Sequence, residues 1–405
     1  MTLAPHRSLH SIQVGFYNDP ADRLPRQLLD AWPTLVDVAE AARQAGIRVS
    51  LVQASSHREC LERNGVRYHF LPFGGAPSAM RKNAALGELF RRLDPDIFHV
   101  HGLMFPRELL ALAALAPGVP ILLQDHASRP PRIWRRGSWR RGLSVAAGIM
   151  FCAMEQARPF AAAGLVSGQT QLYEIPESTS RFSPGDPVEA RRITGLAGEP
   201  AVLWVGHLNA NKDPLTVLQG ISAAARSLPR LQLHCCFGAA PLLQSVQARI
   251  AADPELRDRV HLHGRVSHDR VEQLMRAADL FVLGSHREGS GYSLIEALAC
   301  GLPPIVTDIP SFRSLTGGGA VGMLWPCDDP QALCRALLSI VPRASAGMRA
   351  AVRDHFEREL SLGALGLKLA AMYEDAVRRA RDNKMAPRIG NTARRPAWGA
   401  LVRRS

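Results

Sequence analysis

One stretch constrains this chain more than any other: residues 279–308, Asp-Leu-Phe-Val-Leu-Gly-Ser-His-Arg-Glu-Gly-Ser-Gly-Tyr-Ser-Leu-Ile-Glu-Ala-Leu-Ala-Cys-Gly-Leu-Pro-Pro-Ile-Val-Thr-Asp. Its opening run, 280–283, is too short and too continuously apolar for a solvated strand, which predicts a strand buried on both faces. Glu288-Gly289-Ser290-Gly291 follows, where glycine lets the backbone turn tightly and come close to a ligand. A short helix is expected from about Tyr292 to Cys300, stopped by Gly301 and Pro303, with a second apolar strand beyond. A glycine turn feeding a helix start is a ready anion site, because unpaired N–H groups and the helix dipole point the same way. Glu288 and Glu296 bracket that site.

Strands and helices alternate on both sides of this stretch. In the first half, strands are predicted at 11–16, 47–52, 66–72, 95–102, 120–126 and 148–152, with helices between them. Residues 175–200 are rich in turn formers, and the alternation then restarts with strands at 201–205, 231–236, 260–263 and 280–283. The expected fold class is α/β: two Rossmann-like, doubly wound domains facing each other across a cleft, with ligands at the carboxyl ends of the strands. The boundaries are drawn at 1–176 for the first domain, 177–199 for a linker and 200–361 for the second domain. A last helix, 362–381, is expected to pack back toward the first domain, and 382–405 to form a basic, disordered tail.

Charge adds a second layer. The formal net charge is +13 over 405 residues, and it is uneven. Arg129 to Arg141 holds six arginines with Trp134 and Trp139, and Arg378 to Ser405 holds nine Lys/Arg against one Asp. Such runs suit anionic lipid, nucleic acid or phosphorylated substrates, and a solvated loop and tail explain them equally well. The basic segments lack the interleaved aromatic platform of a nucleic-acid module, so no nucleic-acid partner is expected. No run of 18 apolar residues occurs and the first residues lack a signal-peptide apolar region, so the expected address is cytoplasmic, peripheral at the inner face of a membrane if the basic runs act. Seven scattered cysteines show no metal-ligand spacing and read as reduced thiols.

Several motifs now combine: Asp96-Ile97-Phe98-His99-Val100-His101-Gly102, the strand ending in His126, Val205-Gly206-His207-Leu208-Asn209-Ala210-Asn211-Lys212-Asp213, and His263-Gly264-Arg265-Val266. Above all, Glu288 and Glu296 stand eight apart in a strand–EGxG–helix–CGxP context. On these residues the chain resembles retaining glycosyltransferases of the GT-B fold, specifically glycosyltransferase family 4, over most of its length. The resemblance implies transfer of a hexose-type sugar, with retention, from a nucleotide donor (a UDP- or GDP-sugar) held by the C-terminal domain to a glycan or lipid-linked acceptor held by the N-terminal one. It implies no metal and no separate cofactor, and it suggests synthesis of cell-surface polysaccharide or glycolipid.

The resemblance also assigns residues. Lys212 matches the diphosphate-binding lysine, and a cation at a helix N-terminus, disfavoured by the dipole, suits a ligand role better than a solvated one. Glu288 corresponds to the glutamate that reads donor-sugar hydroxyls and Glu296 to the one that holds the ribose. Ser293 to Glu296 also fits a capping box, a structural role compatible with the first. The amides of Gly291, Tyr292 and Ser293 are the candidates for the phosphate cradle and Gly206, Gly289 and Ser290 are further donor-binding positions, while Arg265 and Val266 lie at the turn that contacts the base. His126 falls where the family has a histidine near the point of transfer, with Asp125 beside it to orient or replace it. His101 is an acceptor-side candidate.

Three departures stand out. His207 occupies the usual place of an arginine, so it must be protonated there or leave the charge to another residue such as Arg265. Phe16-Tyr17-Asn18-Asp19-Pro20 lacks the family's Gly-Gly pair, and Glu177-Ser178-Thr179-Ser180 replaces its Asn-Gly-Val-Asp pattern. A degenerate, non-catalytic nucleotide-sugar binder or scaffold protein and an epimerase or phosphorylase on the same fold are the competing readings.

Overall fold

The structure, a computed structural model, describes residues 8–73, 84–166 and 170–385. The first domain is built on an eight-stranded sheet of order β3-β4-β2-β1-β5-β6-β7-β8. Its strands are β1 (His10–Gly15), β2 (Arg48–Ala54), β3 (Glu59–Arg63), β4 (Val66–Leu71), β5 (Ile97–His101), β6 (Ile121–Gln124), β7 (Gly148–Phe151) and β8 (Gln171–Glu174). All pairings are parallel except that of β3 with β4. The central strands β1, β6 and β7 are buried along their whole length, because helices cover both faces.

The second domain has a six-stranded, wholly parallel sheet of order β11-β10-β9-β12-β13-β14. It comprises β9 (Ala201–Gly206), β10 (Gln232–Phe237), β11 (Val260–Gly264), β12 (Leu280–Leu283), β13 (Pro304–Thr307) and β14 (Met323–Trp325). After β9 the chain first builds outward through β10 and β11, then returns to the other side of β9 with β12. The β9/β12 boundary is therefore the topological switch point, and a crevice opens beyond its carboxyl end. In the first domain the corresponding boundary lies between β1 and β5.

The residues assigned to a linker, 177–199, need correction. Asp186 accepts a bond from the Val188 N–H and caps a helix, Pro187–Thr194, which packs on the helix His268–Ala277. Phe182, Ala190 and Leu196 are buried in the second domain's core, so apolar burial overrides the turn-forming composition. The basic stretch 129–141 is likewise no open loop. A 3-10 turn, Ile133–Arg135, leads into the helix Arg136–Leu143, with Trp139 and Leu143 in the first domain's core. That helix lies close to the helix Pro106–Leu115: a Cβ at Gly142 would stand 2.4 Å from Pro106. Strands β3 and β8 were not anticipated, since both are largely exposed or half-buried and carry no apolar alternation.

The chain ends its described course in the helix Leu362–Met385, which packs on the helix Pro33–Gln44 of the first domain. Leu365, Leu369, Met372 and Tyr373 are buried there, and Gly366 permits the approach because a Cβ would come within 2.2 Å of the Ala41 carbonyl. The Tyr373 hydroxyl reaches His99 Nδ1 at 2.7 Å beneath the cleft. The basic tail lies outside the described residues from position 386 onward. Among the described residues no helix is long and apolar enough to cross a membrane.

Candidate active site

At the switch point two loops meet. Gly206 ends β9, and the turn after it is fixed by Asn209, whose Oδ1 accepts from the Lys212 N–H at 3.0 Å. Asp213, in a left-handed conformation with φ of 42°, then caps the helix Pro214–Ala225. The loop after β12 is tied to this turn by the His286 N–H bond to the Asn211 carbonyl and by Asn211 Nδ2 to the Arg287 carbonyl, each 2.8 Å. Gly284 allows the approach, since a Cβ would meet the Lys212 carbonyl at 3.3 Å.

This scaffold joins Lys212 to Glu288. Lys212 Nζ donates to Glu288 Oε1 at 2.7 Å, with both side chains mostly buried. Partial burial strengthens the pair relative to one in water and makes either partner costly to leave alone. Beyond Glu288 the chain passes Gly289 and the buried Ser290 to Gly291, which has φ of +66° and would place a Cβ 2.4 Å from the Phe312 ring. Only glycine fits there. The helix Tyr292–Ala299 starts at once with no side chain capping it, so the N–H groups of Tyr292 and Ser293 begin the helix as free donors.

The capping-box reading of Ser293 and Glu296 is corrected. The helix starts at Tyr292 with Gly291 at the cap, which puts Glu296 two positions past the third helical residue from which a capping box reaches back. Glu296 is instead buried and takes a 2.5 Å hydrogen bond with His268 Nε2. Burial raises the Glu296 carboxyl above its usual range, opposed by His268; the bond to Glu296 in turn raises His268. His268 also lies against the Phe182 ring, 4.5 Å between centroids. Sequence reasoning missed His268.

His207 is exposed, and its Nδ1 accepts the Ala239 N–H at 3.1 Å. That bond uses the Nδ1 lone pair and leaves Nε2 as the ring's remaining polar atom. Of the two alternatives left open by its sequence, a charge supplied elsewhere is the one the geometry favours. Arg265 stands beside it, separated by Gly238, where a Cβ would lie 3.2 Å from His207 Cε1 and 3.7 Å from Arg265 Nη2. Arg265 is exposed and Val266 half-buried, following Gly264 at the end of β11.

Across the cleft, His126 lies two residues past β6. Its Nδ1 is bonded to a carboxylate oxygen of Glu177, in a short contact that sequence reading did not anticipate. Asp125 is not its partner. That carboxylate is buried, raised by burial, and accepts the Ser128 N–H at 3.0 Å, fixing the turn in which Ala127 has φ of 57°. His101 stacks between His99 and His126, at 4.7 and 5.7 Å, and bonds Gln13 at 3.3 Å. Burial drives His99 down to about 3 and His101 well below its ordinary value, so both are neutral. Gln156, also missed, reaches over from the first domain. Its Nε2 donates to the carbonyls of Glu288 at 2.9 Å and Gly289 at 3.3 Å.

Asp213, His286 and Asp328 bring ligand atoms within 4.8 Å of one another beside the site, the one such group among the described residues; His286 and Asp328 are exposed.

Two facing Rossmann-like domains, with donor-type motifs at the switch point of the second and a histidine reaching from the first, define the GT-B class of glycosyltransferase folds. The sequence patterns agree domain by domain: "Glycosyl transferases group 1" matches residues 188–350 and "Glycosyltransferase Family 4" matches residues 33–158. The chain belongs to glycosyltransferase family 4. It is 25% identical over 259 residues to a GDP-mannose:cellobiosyl-diphosphopolyprenol alpha-mannosyltransferase of Xanthomonas campestris, covering 62% of this chain and 66% of that one. It is 30% identical over 234 residues to a D-inositol 3-phosphate glycosyltransferase of Geodermatophilus obscurus, covering 54% and 50%. The matched region thus spans a half to two thirds of these relatives. Among solved structures, Anabaena Alr3699/HepE in complex with UDP superposes with a TM-score of 0.69 at 16% identity, covering 91% of this chain and all of that one.

Proposed function

We propose that this protein is a retaining, metal-independent glycosyltransferase that moves a hexose-type sugar from a UDP- or GDP-sugar to a glycan or lipid-linked acceptor. The observation that carries the reading is Lys212 bonded to Glu288 beside the uncapped start of the helix Tyr292–Ala299. Departure of the nucleotide builds negative charge on the diphosphate, and a fixed cation with aligned amides stabilises that charge as it forms. Glu288 is the sugar-reading carboxylate. It also accepts from Lys212, so a diphosphate at this lysine must share it with Glu288 or draw it away. Glu296, oriented by His268, takes the ribose hydroxyls. Gly264, Arg265 and Val266 flank the base. His126 acts at the transfer point, with the acceptor entering past His101.

The donor class is supported by the Xanthomonas relative, whose name includes GDP-mannose, and by the UDP complex of the Anabaena protein. A lipid-linked acceptor suits the first domain's surface. Met104, following β5, and Ile133 and Trp134, following β6, are 66%, 73% and 71% exposed at the same end of neighbouring strands. Arg129, Arg132 and Arg135 accompany them, with the Arg132 guanidinium 5.4 Å from the centre of the Trp134 ring. Aromatic and aliphatic tips amid arginines suit the interface of an anionic bilayer, which supports peripheral attachment at a cytoplasmic face.

Incubation with radiolabelled UDP- and GDP-hexoses and a membrane extract tests the reading. Transfer of label into extractable lipid or polysaccharide, with the anomeric configuration kept, is the expected result. Donor hydrolysis that no acceptor stimulates would contradict it.

A further inference from the structure

The feature that the resemblance does not account for is Glu177. It stands just past Ile175 and Pro176, where the chain leaves the first domain, in place of the asparagine pattern. Its side chain is 15% exposed, and one carboxylate oxygen is bonded to His126 Nδ1. The other faces the second domain's sugar loop, since a Cβ added at Gly289 would come within 2.3 Å of it. Glycine at 289 thus makes room for Glu177, and the carboxylate is shared between His126 and the loop that carries Glu288. Gln156 holds that loop from the same side.

We propose that Glu177 is a positioning residue for sugar transfer, which fixes the His126 ring through Nδ1 and keeps it as a charged donor through Nε2. The proposal rests on the transferase reading above. A carboxylate accepting from Nδ1 fixes both the tautomer and the tilt of an imidazole and favours the doubly protonated ring. Burial alone would pull His126 down, but the bond to Glu177, its charge and that of Asp125 outweigh this, and the ring is raised above its ordinary value. Its other neighbours do not substitute. His99 and His101, stacked behind it, are neutral, and Asp125 is occupied by Ser128. On the facing loop Arg287 and Glu288 carry opposite charges, and Glu288 is paired with Lys212. A charged His126 also fits the site as a whole, because His207, its Nδ1 taken by the Ala239 N–H, stands where an arginine would supply a cation.

The test measures the ring and the reaction together. His126 is followed by NMR in protein labelled at histidine, assigned by loss of the signal in His126→Gln, while donor turnover is measured from about pH 5.5 to about pH 9. The protonated ring is the active form here, so wild-type turnover falls as pH rises through the raised His126 value. Glu177→Gln, which keeps the shape and removes the charge, is expected to lower the ring's titration midpoint by about one pH unit or more. It should move the alkaline limb of the turnover profile down by the same amount, costing about tenfold more at pH 8 than at pH 6. Glu177→Asp, which keeps the charge, should fall between the two. An unmoved midpoint in Glu177→Gln would overturn the proposal, and so would an equal loss of turnover at every pH. A wild-type protein with a shifted midpoint but no turnover of any nucleotide sugar would contradict the transferase reading and leave the pairing of Glu177 with His126 standing.

Discussion

Lys212 and Glu288, 76 residues apart, are joined by a 2.7 Å bond at the one place in the second sheet where the strand order reverses. Each follows a strand bordering that reversal, β9 for the lysine and β12 for the glutamate. Glu288→Gln is therefore expected to release Lys212, and it should weaken sugar discrimination more than nucleotide affinity. The measurement is the ratio of affinities for a UDP-hexose and for UDP alone. A nucleotide sugar and its nucleotide should bind Glu288→Gln about equally, whereas a ratio unchanged from wild type would remove the sugar-reading role from Glu288.

Gly291 offers a sharper structural test. Its φ of +66° and the nearby Phe312 ring leave no room for a side chain. Gly291→Ala should destabilise the protein by about 1–3 kcal/mol through left-handed backbone strain alone, and by more if Phe312 cannot shift. Denaturant midpoints read the loss. An unchanged midpoint would mean that the turn does not hold this conformation in solution.

The His268–Glu296 pair makes a prediction in pH. His268 is raised in the folded protein, chiefly by its bond to Glu296. A raised histidine contributes stability that is fully present below its unfolded value, about 6.5, and is lost as pH rises through its folded value. The difference in melting temperature between wild type and His268→Ala should therefore be largest at about pH 5.5 and shrink toward about pH 8.5. A difference that grows with pH would contradict the pairing.

The exposed tips of the first domain predict lipid behaviour. Arg132→Glu with Arg135→Glu should weaken pelleting with anionic vesicles by at least about 30-fold, at about 1 kcal/mol for each charge lost near the surface. Trp134→Ser should weaken it without changing its salt dependence. Equal pelleting of all variants, or of wild type with neutral and anionic vesicles alike, would remove this face from the membrane account.

Much of this was legible in residues 279–308, because short apolar strands, positive-φ glycines and a helix stop are local features with few alternatives. The partners of those residues were not legible. Glu177 bonds His126 across 51 positions and Gln156 meets Glu288 across 132, pairings that no spacing encodes. Glu296 was given a local capping role because Ser293 stands at the right distance, yet Gly291 starts the helix earlier and a distant histidine takes the carboxylate. Composition misled at 177–199, where turn-forming residues surround Phe182, Ala190 and Leu196, three side chains that anchor the segment in the second domain. In the Arg129–Arg141 run, Trp139 and Trp134 look alike in sequence, but one is core and the other surface.

The central claim is that Lys212 and its surroundings form a nucleotide-sugar donor site, and calorimetric titration with UDP- and GDP-hexoses tests it most directly. Wild type should bind one of these classes at a single site, and Lys212→Ala, folded to the same extent by circular dichroism, should lose about 100-fold or more in turnover of that donor together with measurable affinity. Binding and turnover undiminished in Lys212→Ala, or a wild-type protein that binds no nucleotide sugar, would contradict the account.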